Sequence, residues 1–272
     1  MELPPPGRWN RLRVALKTGL FNMMQKTVEA SEGLPSVTVI IPALDEVGAL
    51  PGLLGGLEGQ EGAGPLQVIL ADGGSRDGTV ALFEAGTRNW AARGWAVRAL
   101  DCPKTGRAAQ MNAGAAIARG DLLLFLHADT RLPPQALRAV RASLLDRRVV
   151  GGGFRHRFDA GGALLRLISF YATSRSRLRR LHYGDQAMFV RRSRFEALGG
   201  FPDIPLFEDL RLALALRRCG TVITLAPPVV TSSRRLRQGG VARTAARFAW
   251  LKLRHALGAD PRRLLGHYPD VR

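Results

Sequence analysis

Short runs of β-branched and leucine residues alternate with stretches whose apolar positions recur every three or four residues. Val37 to Pro42 is a short β-branched run and reads as a buried strand. Ala49 to Leu57 has helical spacing despite several glycines. The alternation then repeats. A strand at Leu66 to Leu70 ends in the turn Ala71-Asp72-Gly73-Gly74, followed by a helix over Thr79 to Ala92. A strand at Ala96 to Leu100 leads to an Ala-rich helix over Gly106 to Ala118. A strand at Asp121 to Leu126 leads to a helix over Pro133 to Leu145. Strand and helix in such alternation predict parallel βαβ units and an α/β, doubly wound, mostly parallel sheet flanked by helices. Ligands of these sheets bind beyond the carboxyl ends of the strands.

The later half is less regular. The pattern predicts strands over Val149 to Phe158, Ala187 to Val190 and Val222 to Leu225. It predicts helices over Leu164 to Leu178, Arg191 to Leu198 and Glu208 to Cys219, the last two stopped by Gly199-Gly200 and Gly220. Two basic amphipathic helices are expected near the termini. Arg8 to Glu29 carries Leu12, Leu16, Leu20 and Met24 at helical spacing, and Pro35 closes that segment. Val241 to Leu257 places Phe248, Leu251 and His255 on one side, with Arg243, Arg247, Lys252 and Arg254 elsewhere. Phe170, Tyr171 and Trp250 read as core positions. No internal repeat or low-complexity tract interrupts the pattern.

Composition narrows the class. The chain has 272 residues, of which 46% are apolar and 23% charged, the profile of a globular protein. Two distant cysteines, Cys102 and Cys219, exclude a disulfide scaffold and a cysteine-based zinc site. No apolar run is long enough to span a bilayer, and MELPPPG is not a signal-peptide opening, which argues against export and against a membrane span. Charge changes the picture more. The formal net charge is +18, and only four of the 40 basic residues are lysines. Ser36 to Pro134 holds eight Lys/Arg against ten Asp/Glu, whereas Gln135 to Arg272 holds 27 against nine. A basic second half attracts polyanions such as nucleic acid, anionic lipid or phosphorylated substrates. A solvated, arginine-biased surface is the plainer alternative.

Several chemistries lack their motif. There is no G-x-G-x-x-G, no P-loop, no G-x-S-x-G and no H-E-x-x-H. Acidic residues instead stand at strand ends: Asp45 and Glu46 after the first strand, Asp72 after the second, Asp129 after the fourth. A carboxylate there can accept hydrogen bonds from a ribose or base, or ligate a hard cation. It can equally cap the next helix. Four in register at one sheet edge favour a site.

VTVIIPALDE (Val37 to Glu46), ILADGGSRDGT (Ile69 to Thr79), GRAAQMNAGAAIARGD (Gly106 to Asp121), LLFLHADT (Leu123 to Thr130) and FEDLRLALALRRCG (Phe207 to Gly220) resemble the family 2 glycosyltransferases of GT-A fold. The resemblance runs in order from Ser36 to Ala226. Gly184 to Leu212 and the C-terminal tail are most similar to a bacterial branch described as "transferase 2, radical-SAM/selenodomain-associated". The resemblance implies a GT-A domain over 36–230, with a nucleotide-binding half at 36–134 and an acceptor half at 135–230. Flanking it are the basic helix of 1–35 and a basic helical tail at 231–272.

It also implies roles. Pro42, Ala43, Asp45 and Glu46 match the first nucleotide-binding strand end, and Asp72 the carboxylate that reads the base. Arg107 and Asn112 match residues near the diphosphate and base. His127-Ala128-Asp129 occupies the D-x-D motif, with Asp129 as ligand of a divalent metal, Mn²⁺ or Mg²⁺. Asp185 lies where donor sugar and acceptor meet. Glu208 and Asp209 match the E-D pair, Asp209 being the general base. The implied reaction is metal-dependent, inverting transfer from a nucleotide-diphosphate sugar, UDP ahead of GDP or TDP. Its acceptor hydroxyl is lipid-borne or membrane-proximal.

Two departures bear on this. His127 replaces the first Asp of D-x-D, and a neutral imidazole is a weaker partner for a hard ion; it can instead hydrogen-bond the ribose or a phosphate. The Q-x-x-R-W motif of polymerising relatives is absent, and the comparable stretch reads SSRRLRQGG (Ser232 to Gly240), which implies transfer of a single sugar. Arg234, Arg235 and Arg237 there suit the donor diphosphate or a lipid phosphate, or form a solvated basic turn. A sugar-nucleotide nucleotidyltransferase is the nearest alternative, but its Gly-rich basic loop is replaced by Ala43-Leu44-Asp45-Glu46. A nucleic-acid-binding module lacks the interleaved aromatics, at 7% of residues overall, so no nucleic-acid partner is expected. The expected location is cytoplasmic, with peripheral attachment to the inner face of the cell membrane as its extension.

Overall fold

A computed structural model describes residues 36–102 and 106–268. The helix expected over Arg8 to Glu29 lies outside the described residues. Eight strands form one sheet in the order β3-β2-β1-β4-β7-β6-β8-β5. They are β1 (Val37–Ala43), β2 (Leu66–Asp72), β3 (Trp95–Asp101), β4 (Leu122–Phe125), β5 (Thr130–Arg131), β6 (Val149–Phe158), β7 (Met188–Arg191) and β8 (Thr221–Thr231). β1 pairs in parallel with β2 and β4, β2 with β3, and β6 with β8. β7 runs antiparallel between β4 and β6, and β5 antiparallel to β8.

The apolar runs become central strands because both faces of the sheet are covered. Val39 and Ile41 of β1 point to one core while Ile40 points to the other. In β4, Leu122 and Leu124 join the first core, and Leu123 and Phe125 the second. Helices α1 (Leu50–Glu58), α2 (Thr79–Thr87) and α4 (Ala136–Ser143) close the first through Leu53, Phe83 and Leu137. α3 (Arg107–Ala116), α6 (Arg192–Ala197) and α7 (Glu208–Cys219) close the second through Met111, Phe195 and Leu216. The remaining helices are α5 (Ala163–Arg179), α8 (Arg234–Gln238), α9 (Val241–Ala256) and α10 (Pro261–Leu264).

Four expectations need correction. The helix expected over Thr79 to Ala92 ends at Thr87, and a 3₁₀ turn at Trp90–Arg93 replaces its last part, closed by Gly94 at φ 73°. The last strand runs to Thr231, well past Leu225. Pro227 and Pro228 fall where the register with β6 shifts between Phe154 and His156, a place in a ladder that tolerates a missing N–H. Ser232 to Gly240 is not a turn throughout, since α8 forms within it. Phe170, Tyr171 and Trp250 are not core: they are exposed by 70%, 59% and 42%. Helical periodicity alone cannot tell which side of a helix the sheet covers. The C-terminal amphipathic helix forms as expected, with Leu251 buried and His255 stacked on Phe207 at 4.4 Å.

Candidate active site

The carboxyl ends of β1, β2 and β4 lie side by side, so the loops leaving them share one rim. Gln110 of α3 ties two of these ends together: its Nε2 donates to the Ala43 carbonyl at 2.5 Å and the Ala71 carbonyl at 3.0 Å. Pro42 and Ala43 are buried, so they offer a ligand backbone and not side chain. Ala128 is likewise part of the core.

The two loops form one hydrogen-bonded unit. Asp45, at φ 55°, accepts the Arg76 N–H at 2.8 Å, and its own N–H donates to Ser75 Oγ at 2.9 Å. The Glu46 N–H donates to Thr79 Oγ1 at 2.9 Å. Asp72 Oδ2 accepts the N–H groups of Gly74 and Ser75, each at 2.9 Å, and its Oδ1 accepts Ser75 Oγ at 2.5 Å. The turn carboxylates therefore hold the rim in shape. The Asn112 amide is engaged within the fold: it donates to the Phe201 carbonyl at 2.8 Å and accepts the Phe201 N–H at 2.9 Å.

Beyond β4 the chain carries His127 and Asp129. Burial holds the His127 imidazole down to about 3, assisted by the Arg107 charge, so the ring is neutral. Its Nε2 is buried with no hydrogen-bond partner among the described residues. Burial raises Asp129, opposed by Arg235 and Arg107. Burial and then Asp129 raise Glu46, which Arg234 approaches at 3.6 Å.

The turn before β7 and the start of α7 complete the rim. Gly184 lies so close under His127 that an added Cβ would stand 2.4 Å from its Cε1 and Nε2. The Gly184 N–H donates to Asp209 Oδ2 at 2.8 Å, and the other oxygen of Asp209 accepts the Leu210 N–H at 2.6 Å. α7 begins after Phe207 at φ 67°, a backbone strain that aims Glu208 and Asp209 back at this turn. Buried Glu208 faces Arg107 at 3.5 Å. Its pKa is pushed up to about 7, first by burial and then by Asp209, against the pull of Arg107. Burial pulls the Arg107 guanidinium down, but Glu208, Tyr268, Asp209 and Asp129 outweigh it and keep it firmly charged. Asp185 Oδ2 is 3.8 Å from His156 Nε2. Burial acts to raise Asp185, but His156, Arg175, Lys252 and His127 together lower it.

Glu46, Arg107, His127, Asp129, Asp185, Glu208, Asp209, Arg234 and Arg235 therefore act on one another within one neighbourhood. Arg237 lines a hollow with Asp159, Ser232, Ser233, Arg234 and Gln238. Sequence reasoning missed Gln110, Arg175, His156, Lys252 and Tyr268. Only the Tyr183-Gly184-Asp185-Gln186 stretch hinted at that layer. Gln186 is fully buried there, accepting from Arg175 at 2.7 Å and donating to the Phe154 carbonyl at 2.9 Å.

The described residues contain no cluster of three or more His, Cys, Asp or Glu arranged to hold a metal. The charge of Asp129 nevertheless couples to two carboxylates, Glu46 and Asp185, whose Oε2 and Oδ1 are buried without hydrogen-bond partners among the described residues. One carboxylate within such a field fits a hard divalent ion that takes its remaining ligands from phosphate and water.

The profile described as Glycosyl transferase family 2 matches residues 38–199. An undecaprenyl-phosphate 4-deoxy-4-formamido-L-arabinose transferase of Pseudomonas aeruginosa is 33% identical over 169 residues, 60% of this chain and 49% of the relative. Its counterpart in Aeromonas hydrophila is 33% identical over 127 residues, 46% of this chain and 38% of the relative. The chain thus spans half or less of the length of these relatives. Among solved structures, the Pyrobaculum calidifontis mannosyltransferase PcManGT in complex with GDP-Man and Mn²⁺ superposes with a TM-score of 0.61 at 20% identity, covering 92% of this chain and 77% of that one. S. aureus TarS 1–349 gives 0.59 at 17% identity over 74% and 61%. Both share the mixed sheet described above, the GT-A fold.

Proposed function

The chain belongs to glycosyl transferase family 2, and on that footing we propose that it is an enzyme moving one sugar from a nucleotide-diphosphate sugar to an acceptor held at a membrane. The observation that carries this reading is the meeting of Arg107, Glu208, Asp129 and Arg235 at one end of the sheet. Two guanidinium groups beside a buried carboxylate suit a leaving diphosphate. UDP is our first choice of nucleotide; TarS has been solved with UDP, and PcManGT with GDP-Man. The acceptor reading draws on the undecaprenyl-phosphate transferases, whose name specifies a lipid phosphate.

In this reading Asp72 and the fixed turn of Gly74 and Ser75 receive the nucleoside, and Arg107 with Arg235 meets the diphosphate. The acceptor oxygen attacks the anomeric carbon as the bond to the diphosphate oxygen breaks and its electron pair leaves with the diphosphate. A single displacement inverts the centre and needs no enzyme nucleophile. Asp209 takes the proton of a hydroxyl acceptor; Gly184 and Leu210 hold that carboxylate in place. Asp129 is the residue that would hold Mn²⁺ or Mg²⁺, whose contribution is positive charge against the departing diphosphate. Neutral His127 adds a ring nitrogen able to hydrogen-bond the ribose or a phosphate. The stretch comparable to the motif of polymerising relatives reads SSRRLRQGG (Ser232 to Gly240), and on that ground one sugar is transferred per acceptor. No helix among the described residues is long and apolar enough to cross a membrane; we place the protein on the cytoplasmic side, attached peripherally.

The test is a thermal-shift screen of nucleotide diphosphates and nucleotide sugars with Mn²⁺ or Mg²⁺, since a ligand of the folded state raises its apparent stability. We expect one nucleotide family to stand out and its sugar to be transferred. A chain indifferent to every nucleotide sugar overturns the reading.

A further inference from the structure

Helix α5 is apolar on the wrong side. Its buried face consists of Leu165, Ser169, Ala172, Arg175 and Ser176, mostly small or polar. Its outward face carries Leu164, Leu167, Phe170, Tyr171 and Leu178, exposed by 39%, 61%, 70%, 59% and 84%. At 100° per residue these five fall within an arc of about 120°. Exposed apolar residues are ordinary when scattered, but a contiguous stripe of them marks an interaction surface.

The rim of the stripe says what covers it. Arg166, Arg177, Arg179 and Arg180 are all exposed, and no Asp or Glu occurs from Ala160 to Gly184. A two-fold contact with a second copy would set these arginines against each other. An anionic bilayer would instead accept the apolar side chains among its acyl chains and the guanidinium groups at its headgroups. We infer that the outer face of α5 docks the protein on an anionic lipid surface.

This placement has a consequence for the site. The inner face of the same helix reaches the candidate active site. Ser169 Oγ lies 3.3 Å from His156 Nδ1, and Arg175 bonds Gln186 beside Asp185. The Arg175 guanidinium also lies over the Tyr183 ring, 3.5 Å from its centroid, while Lys252 of α9 approaches that ring at 4.8 Å. A helix is only about 10 Å thick. Docking α5 therefore brings the Asp185 side of the rim next to the bilayer, within reach of a lipid-borne acceptor. That last step rests on the glycosyltransferase reading; the docking does not.

The test uses the full chain with vesicles of phosphatidylcholine alone or with about one third phosphatidylglycerol. Wild type is expected to float with the anionic vesicles and to be released by high salt. The combined variant Leu167→Glu, Phe170→Glu, Leu178→Glu is expected to lose at least about tenfold in bound fraction. Because all three side chains point to solvent, its melting temperature and its response to nucleotides should match wild type. Undiminished flotation of the variant overturns the proposal, as does a wild type that ignores both vesicles. Light scattering that shows a wild-type dimer broken by the same substitutions overturns it in favour of a second copy. Loss of docking with an intact nucleotide response leaves the enzyme reading standing. Intact docking without any nucleotide response sinks that reading alone.

Discussion

The Gly184 N–H donates to Asp209 at 2.8 Å, while a Cβ on Gly184 would stand 2.4 Å from both Cε1 and Nε2 of the His127 ring. One glycine thus locks the start of α7 to the end of β4, although the three residues are far apart in the chain. Substituting it tests that lock. Gly184→Ala puts a methyl 2.4 Å from two atoms of the His127 ring. We expect a loss of about 1–3 kcal/mol in stability, as for overpacking, and a loss of any transferase activity greater than the change in melting temperature explains. A variant melting and turning over like wild type would refute the contact.

Asp209 is expected to separate binding from chemistry. Asn keeps only one acceptor oxygen, so either Gly184 or Leu210 loses its partner in Asp209→Asn, at a cost of about 1–3 kcal/mol. Donor binding by thermal shift should survive. Sugar transfer to a hydroxyl acceptor should fall at least about a hundredfold, in line with loss of a general base.

Asp129→Ala should abolish the part of the nucleotide-induced thermal shift that depends on Mn²⁺ or Mg²⁺, leaving the metal-free part in place. A metal dependence equal to that of wild type would move the ion elsewhere.

Glu208 gives a pH signature. Its folded pKa stands near 7, above that of an exposed glutamate, so the folded state binds the extra proton. Stability contributed by Glu208 is therefore present at low pH and falls as pH rises from about 4.5 to 7. Glu208→Gln should remove that fall, changing the pH slope of chemical denaturation by on the order of 1–3 kcal/mol across the window. An identical slope in both proteins would contradict the burial of this charge.

The histidines act with opposite sign. His127 and His182 are both held down to about 3, first by burial and then by nearby arginines. The unfolded chain takes up their protons near 6.5, so their contribution to stability is present above that pH and is lost as pH falls toward 3. Neither imidazole should titrate between pH 5 and 8 in an NMR pH series. A His127 resonance moving with a midpoint above 5 would show that the ring is hydrated.

Strands β1, β2 and β4 were legible in the sequence because they are covered on both faces and so read as short, mostly apolar runs rich in β-branched and leucine residues. The carboxylates at their ends were equally legible, since a strand end is a local position. Local pattern also fixes where α7 and α9 begin and what periodicity they carry. What it does not contain is direction. The order that sets β7 antiparallel between β4 and β6 depends on long-range pairing. So does the turn by which Gly184 comes against the His127 ring. Asn112, expected near a nucleotide, spends its amide on Phe201, a residue 89 positions away. Phe170 and Tyr171 have the spacing of a core helix, yet the sheet packs against the polar side of α5 and leaves them in the open. Amino-acid order determined which stretches could be strands and helices and which chemical groups stood at their ends. Only the packed sheet decided which of those groups share a low-dielectric rim and which faces meet solvent, because burial and charge coupling depend on distances through space that neighbours in sequence do not set.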